Sequence, residues 1–123
     1  REPDARAFFK KAFGFPPVHV VRAPGRLELL GNHTDYNQGL ALSIAVDRHV
    51  SIACAPREDG RVQMASSAFP DQREAAWMSS LERSPAAPWA DYVKGVLRQL
   101  HRRGVPITGF DMAVHGTIPI GAG

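Results

Sequence analysis

Apolar residues recur at helical spacing near the start of the chain. Phe8, Phe9, Ala12 and Phe13 fall within residues 4–13, and Gly14 follows as a stop, which predicts a short helix. PPVHVV then predicts a strand over residues 18–22, broken by the turn pair Pro24-Gly25. Leu40, Leu42, Ile44 and Val46 alternate with small residues, and Val50, Ile52 and Cys54 alternate again after Asp47-Arg48, so two strands with one buried face are expected. Glu58-Asp59-Gly60-Arg61 carries hairpin-turn chemistry, with a return strand over residues 62–66 and a further strand within 73–78. After a loop at 84–88 rich in proline and small residues, Trp89, Val93, Val96, Leu97 and Leu100 recur at helical spacing. Gly104 and Pro106 end that helix. Phe110, Met112 and Val114 then alternate with Asp111, Ala113 and His115 in one more strand, which leads into IPIGAG. Several strands, few helices and hairpin-length links among the middle strands predict an α+β fold, a mixed sheet packed with a few helices.

Composition narrows the setting. With 123 residues the chain holds at most one ordinary domain. It is 44% hydrophobic and 22% charged, with no apolar run of the roughly 20 residues a bilayer span needs, so no membrane partner is expected. The excess of 15 Lys and Arg over 12 Asp and Glu is spread along the chain, which does not point to nucleic acid. Arg98, His101, Arg102 and Arg103 do cluster, but the solvated face and negative C-terminal end of a helix explain them. Cys54 is the single cysteine, in the apolar run SIACA, which predicts a small core side chain and a reducing, cytoplasmic home. The chain begins at Arg1 and stops on a glycine-rich turn that needs something to return to, so the expectation is a fragment.

Candidate chemistry concentrates in GRLELLGNHTDYNQG, residues 25–39. Asn32, His33, Asp35 and Asn37 are short donors and acceptors suited to sugar hydroxyls, and a carboxylate such as Asp35 can accept from two neighbouring hydroxyls at once. Gly31 and Gly39 would let the segment curl as a loop between strands. The same residue types also build ordinary turns, and His33 with Asp35 could instead ligate a metal, although no second ligand stands at recognisable spacing. Gly121, Ala122 and Gly123 close the chain after a strand-like run, an arrangement that lets backbone N–H groups approach phosphate oxygens. The Walker pattern is absent, which argues against ordinary P-loop chemistry.

Read together, these segments have a precedent. APGRLELLGNHTDYNQGLAL closely resembles the galactokinase signature, usually APGRVNLIGEHTDYN followed by an acidic or amide residue, glycine and an apolar strand. WADYVKGV at residues 89–96 looks like that family's helix after its second loop, and GFDMAVHGTIPIGAG resembles the strand entering its phosphate loop, in the same order and spacing. Galactokinases belong to the GHMP kinases (galactokinase, homoserine kinase, mevalonate kinase, phosphomevalonate kinase), two-lobed enzymes that transfer the γ-phosphate of ATP, with magnesium, to a small-molecule hydroxyl.

The resemblance implies that residues 1–123 are an incomplete N-terminal, sugar-binding domain ending inside the phosphate loop. The magnesium ligands, the catalytic aspartate and the remainder of the parent kinase chain would lie beyond residue 123, so this piece alone is expected to be inactive. Arg26 becomes the catalytic candidate, its fixed charge favouring ionisation of the nucleophilic hydroxyl and neutralising charge on the transferring phosphoryl group, against a reading as a turn-stabilising surface arginine. Asn32, His33 and Asp35 become sugar contacts, with Asp35 no longer the base. Trp89 and Tyr92 would border the adenine, unless Trp89 is purely core, and Gly121, Ala122 and Gly123 would meet the phosphates. The expected function is ATP-dependent phosphorylation of the anomeric hydroxyl of galactose or a close relative; the alternative is a non-catalytic sugar and ATP sensor on the same scaffold. One departure stands out. The family has glutamate where this chain has Asn32, and losing a charge-assisted hydrogen bond costs on the order of 1.5 to 3 kcal/mol unless neighbours compensate. Either galactose is held differently or a related sugar is preferred.

Overall fold

A computed structural model describes residues 4–30 and 42–116, with side chains left out of the description at 26–30 and 42–47. The elements run α1 (Ala5–Phe13), β1 (His19–Leu30), β2 (Leu42–Pro56), β3 (Arg61–Ser66), β4 (Glu74–Trp77), α2 (Ala90–Arg102) and β5 (Phe110–Gly116). The strands form one sheet in the order β1-β2-β5-β3-β4. All neighbours are antiparallel except β3 and β5, which run parallel. The expected α+β class, a mixed sheet with a few helices, is what forms.

Each helix follows from its own signals. Asp4 caps α1 by accepting from the Arg6 N–H at 3.0 Å, and Gly14 closes it in the left-handed region at φ 84°. The apolar stripe of α1 lands on alanines: Phe9, fully buried, packs with Ala5 against Ala53, Ala55 and Ala113. Small residues on that face of the sheet let an aromatic ring approach closely, and burying such a ring contributes about 1.5–3 kcal/mol. Cross-strand pairing places the alternate residues on the opposite face. There Ile52 faces Val114, and Met112 faces Met64, beneath α2. Val62, Met64, Met112, Leu97, Ala87 and Ala90 form this second core. The molecule is therefore helix, sheet, helix in three layers. The β1 end of the α2 face is left open, with Val21 63% exposed.

Three sequence expectations about the strands need correction. Pro24 and Gly25 do not break β1, which continues to Leu30. Because β1 lies at the sheet edge, Pro24 can sit opposite His49 without a ladder donor, and the register shifts between Pro24 and Arg26. Asp47 and Arg48 do not separate two strands, since β2 runs unbroken through them. The turn at 57–60 does reverse the chain, with Gly60 at φ 79°, but β2 and β3 do not pair as a hairpin. β5 inserts between them. Cys54, expected in the core, is only half-buried, and burial raises its thiol pKa.

The insertion of β5 is held at its start. The buried Asp111 carboxylate accepts from Arg57 Nη1 at 3.2 Å, while Arg57 Nη2 reaches Asp59 at 2.6 Å. The Arg57 hydrogen bond holds the exposed Asp59 carboxyl at about 2. Thr108 Oγ1 donates to the Arg57 carbonyl at 2.8 Å, and the Arg57 N–H donates to the Gly109 carbonyl at 3.0 Å. Gly109 itself is a necessity of space. It has φ 124°, and a Cβ there would lie 2.4 Å from the Arg61 carbonyl oxygen.

Gly109→Ala is therefore expected to lower unfolding free energy by roughly 2–4 kcal/mol, combining backbone strain with a clash against main chain. Gly104→Ala, also at positive φ but with open space around it, should cost only about 1 kcal/mol. Urea denaturation of the two variants checks the difference; equal losses would mean that the Arg61 contact carries no weight.

Candidate functional site

The strand directions decide what comes together. β1 and β5 are both antiparallel to β2 and so run the same way, and β3 is parallel to β5. All three deliver their C-terminal ends to one end of the sheet. Gly116, the last residue of β5, lies opposite Val50, which in turn lies opposite Ala23. The chain thus leaves β5 level with a point three residues before Arg26, two strand spacings away, about 9–10 Å.

Arg26 stands on β1 opposite Ala45, just past the register shift. Its backbone is described and its side chain is not. Asn32, His33, Asp35 and Asn37 lie outside the described residues, between the end of β1 at Leu30 and the start of β2 at Leu42. Gly121, Ala122 and Gly123 also lie outside them, after β5. The topology places the strand ends that lead into both motifs at the same end of the sheet.

Trp89 and Tyr92 are fully described and meet in one groove. Its volume is about 660 Å³, and it is lined by Phe69, Gln72, Arg83, Pro88, Trp89, Asp91 and Tyr92. Phe69 and Gln72 follow the C-terminal end of β3, so the groove opens at the same end of the sheet as the ends of β1 and β5. The two aromatic residues differ in character. Trp89 packs against the α2 core, and its Nε1 donates to the Gln72 carbonyl at 2.8 Å. Tyr92 is 83% exposed. The core and groove readings of Trp89 therefore coexist in one side chain, while Tyr92 has no core role.

Sequence reasoning passed over several polar residues here. Lys94, on the helix that carries Trp89 and Tyr92, is 2% exposed. Its Nζ donates to Glu74 Oε2 and to the Glu82 carbonyl, both at 2.7 Å. Burial pushes the Glu74 carboxyl up, but hydrogen bonds from Lys94, Ser84 and the Ala75 N–H outweigh it and hold the pKa below its ordinary value. Nothing in the helical period distinguishes a buried lysine from a solvated one. The burial of Lys94 depends on β4, where Glu74 falls opposite Met64 and hence on the α2 face, a pairing the sequence does not show. Ser67 Oγ lies 2.8 Å from His115 Nδ1, and Ser51 Oγ donates to the His115 carbonyl at 3.3 Å, next to the exit of β5. Among the described residues no group of three or more His, Cys, Asp or Glu side chains could hold a metal ion. No described helix is long and apolar enough to cross a membrane.

Comparison with known proteins shows what this arrangement is similar to. Residues 7–56, which take in most of α1 and all of β1 and β2, match the galactokinase galactose-binding signature. The chain carries a galactokinase signature on a GHMP-kinase fold. It superposes on Lactococcus lactis galactokinase complexed with galactose with a TM-score of 0.79 and 30% identity, covering 94% of this chain and 30% of that one. Mevalonate kinase from Methanococcus jannaschii shares the fold at a TM-score of 0.67 and 17% identity, over 85% of this chain and 34% of the other. So does a D-glycero-D-manno-heptose 1-phosphate kinase from Bacteriodes thetaiotaomicron, at 0.63 and 24%, over 85% and 35%. The five-stranded mixed sheet with its two helices corresponds to part of the N-lobe of these GHMP kinases, and the chain spans about a third of their length. In this galactokinase-like chain the signature covers the edge hairpin, and the groove belongs to the opposite side of β5.

The two groove aromatics should separate in mutation. Tyr92→Ala is expected to change unfolding free energy by less than about 0.5 kcal/mol, because its ring is solvated. Trp89→Ala should cost about 2–4 kcal/mol through lost packing and the orphaned Gln72 carbonyl. Thermal and urea unfolding of both variants test this, and a large loss in Tyr92→Ala would contradict the placement.

Proposed function

We propose that these residues are the first part of the sugar-binding lobe of an ATP-dependent sugar kinase of the galactokinase type. The reaction joins the anomeric hydroxyl oxygen of galactose, or of a closely related sugar, to the γ-phosphorus of ATP. The bond between that phosphorus and the β,γ-bridging oxygen breaks, ADP leaves, and the hydroxyl proton passes to a carboxylate outside residues 1–123. The observation that carries the reading is the galactose-binding signature over residues 7–56, set on a sheet whose β1, β3 and β5 end together.

In this reading Arg26 supports the reacting centre electrostatically, and Asn32, His33 and Asp35 hold sugar hydroxyls. The groove suits a planar base: Trp89, anchored through its indole N–H, and the solvated Tyr92 offer ring surface beside Phe69. Gly121, Ala122 and Gly123 would let backbone N–H groups approach phosphate oxygens. Magnesium, when bound with ATP, would neutralise phosphate charge, and its ligands are assigned beyond residue 123. A cytoplasmic setting and the covalent continuation of the kinase chain belong to the same proposal.

A coupled ADP-release assay on the complete protein across a panel of aldohexoses tests it. Turnover is expected with galactose or a close epimer, and the preferred sugar reports how Asn32 compensates for the family glutamate. Arg26→Ala should lower kcat by about two to three orders of magnitude while the protein stays folded. Folded protein that turns over no sugar would overturn the kinase reading and favour a sugar and ATP sensor.

A further inference from the structure

Lys94 is a buried charge to which the proposed chemistry assigns no task. Taking an ammonium and a carboxylate out of water is costly, and apolar residues of similar volume would hold a helix on a sheet at least as well. What the ion pair adds is direction. Lys94 Nζ is fixed at 2.7 Å to two points, Glu74 Oε2 and the Glu82 carbonyl. Both points adjoin walls of the groove: Glu74 stands two residues after Gln72, and Glu82 directly precedes Arg83. Other bonds fasten the same segment to the same helix. Trp89 Nε1 donates to the Gln72 carbonyl at 2.8 Å, the Ser84 N–H to Asp91 Oδ1 at 3.1 Å, and Arg98 Nη2 to the Leu81 carbonyl at 2.6 Å. Residues 72–84 are thus strapped across α2, and Lys94 is the buried point where both ends of the strap are tied.

We infer that Lys94 and Glu74 are positioning residues for nucleotide: they set the spacing between the Phe69–Gln72 wall and the Trp89–Tyr92 wall, and so the fit of the base, without touching it. This rests on the reading of the groove as the base site of an ATP-dependent kinase. β1 and β2, whose ends lead into the sugar motif, lie on the far side of β5 from β3 and β4, and none of these strap bonds reaches either strand. Loosening the strap therefore weakens nucleotide and spares sugar.

The test is steady-state kinetics on the complete protein carrying Lys94→Met with Glu74→Met, which removes both charges at similar volume and keeps the core filled. The expected result is a rise of tenfold or more in the KM for ATP, with sugar KM and saturated kcat within about threefold of the parent and an unchanged Tm. Lys94→Arg serves as a second variant should the double one fail to fold. Its longer planar head cannot keep both 2.7 Å contacts, so a rise of threefold or more in the KM for ATP is expected. An unchanged KM for ATP in a folded variant overturns the positioning role. Hydrogen exchange without nucleotide separates this from a failure of the kinase reading. The strap predicts at least tenfold faster exchange of amides in residues 72–84 and of the Trp89 indole in the variant, whatever the protein phosphorylates. Unchanged exchange there also overturns the inference.

Discussion

The placement of β5 between β2 and β3 is the constraint on which the rest of the structure depends. A hairpin of β2 and β3 would satisfy the local turn, but it would leave the chain after α2 no central position. With β5 inserted, one strand touches both halves of the sheet. It is antiparallel to the strand that carries the second half of the galactose-binding signature and parallel to the strand that leads into the groove. Parallel pairing needs a long crossover, and the segment from β4 through α2 supplies it. The insertion is fixed where β5 begins, by the buried Asp111 on Arg57 and by a glycine close enough to Arg61 that no side chain fits. Both lie at the end of the sheet opposite the candidate site. The end that must hold shape is built of buried charge and close backbone contact, and the end proposed to do chemistry is left for loops.

That division also orders the proposed functions. Three strands running the same way bring to one end the end of β1 that leads toward the sugar motif, the exit of β5 toward the glycines and the wall of the groove. Phosphoryl transfer depends on holding two substrates in line rather than on covalent help from the protein. On the proposed reading, a sheet with sugar at the β1–β2 edge and the base in the α2 groove, on opposite sides of β5, would meet that need. The two sides are stiffened differently. The hairpin relies on strand pairing, while the groove relies on a strap bonded across α2 through Lys94, Trp89, Asp91 and Arg98.

Much of this was legible in the sequence, and the gaps have physical causes. Local periodicity marked α1, α2, β3, β4 and β5, because apolar residues recur at each element's own spacing and several have a plain start or stop, such as Asp4 and Gly14 for α1. Local chemistry misled at Pro24-Gly25 and at Asp47-Arg48, where turn-forming residues sit inside long strands. An edge strand can spare the proline donor, and strand pairing over many residues overrides a weak breaker. That β5 neighbours β3 was not legible, since the two are joined through residues 48 apart in sequence. Lys94 stayed hidden because its burial depends on Glu74 and Glu82 arriving from another element. The galactose-binding signature was legible because its residues are contiguous, whereas the groove needed the fold to bring Phe69 to Tyr92.

On the proposed reading, one end of the sheet holds sugar at the β1–β2 edge and nucleotide at the α2 groove, as separate binding regions. Hydrogen exchange on the complete protein, measured with galactose alone and then with ATP alone, tests it most directly. Galactose is expected to slow exchange across residues 26–45 and leave 69–92 unchanged, while ATP slows 69–92. Galactose protection confined to 69–92, or ATP protection absent from it, would contradict the division of the two substrates between the edge and the groove.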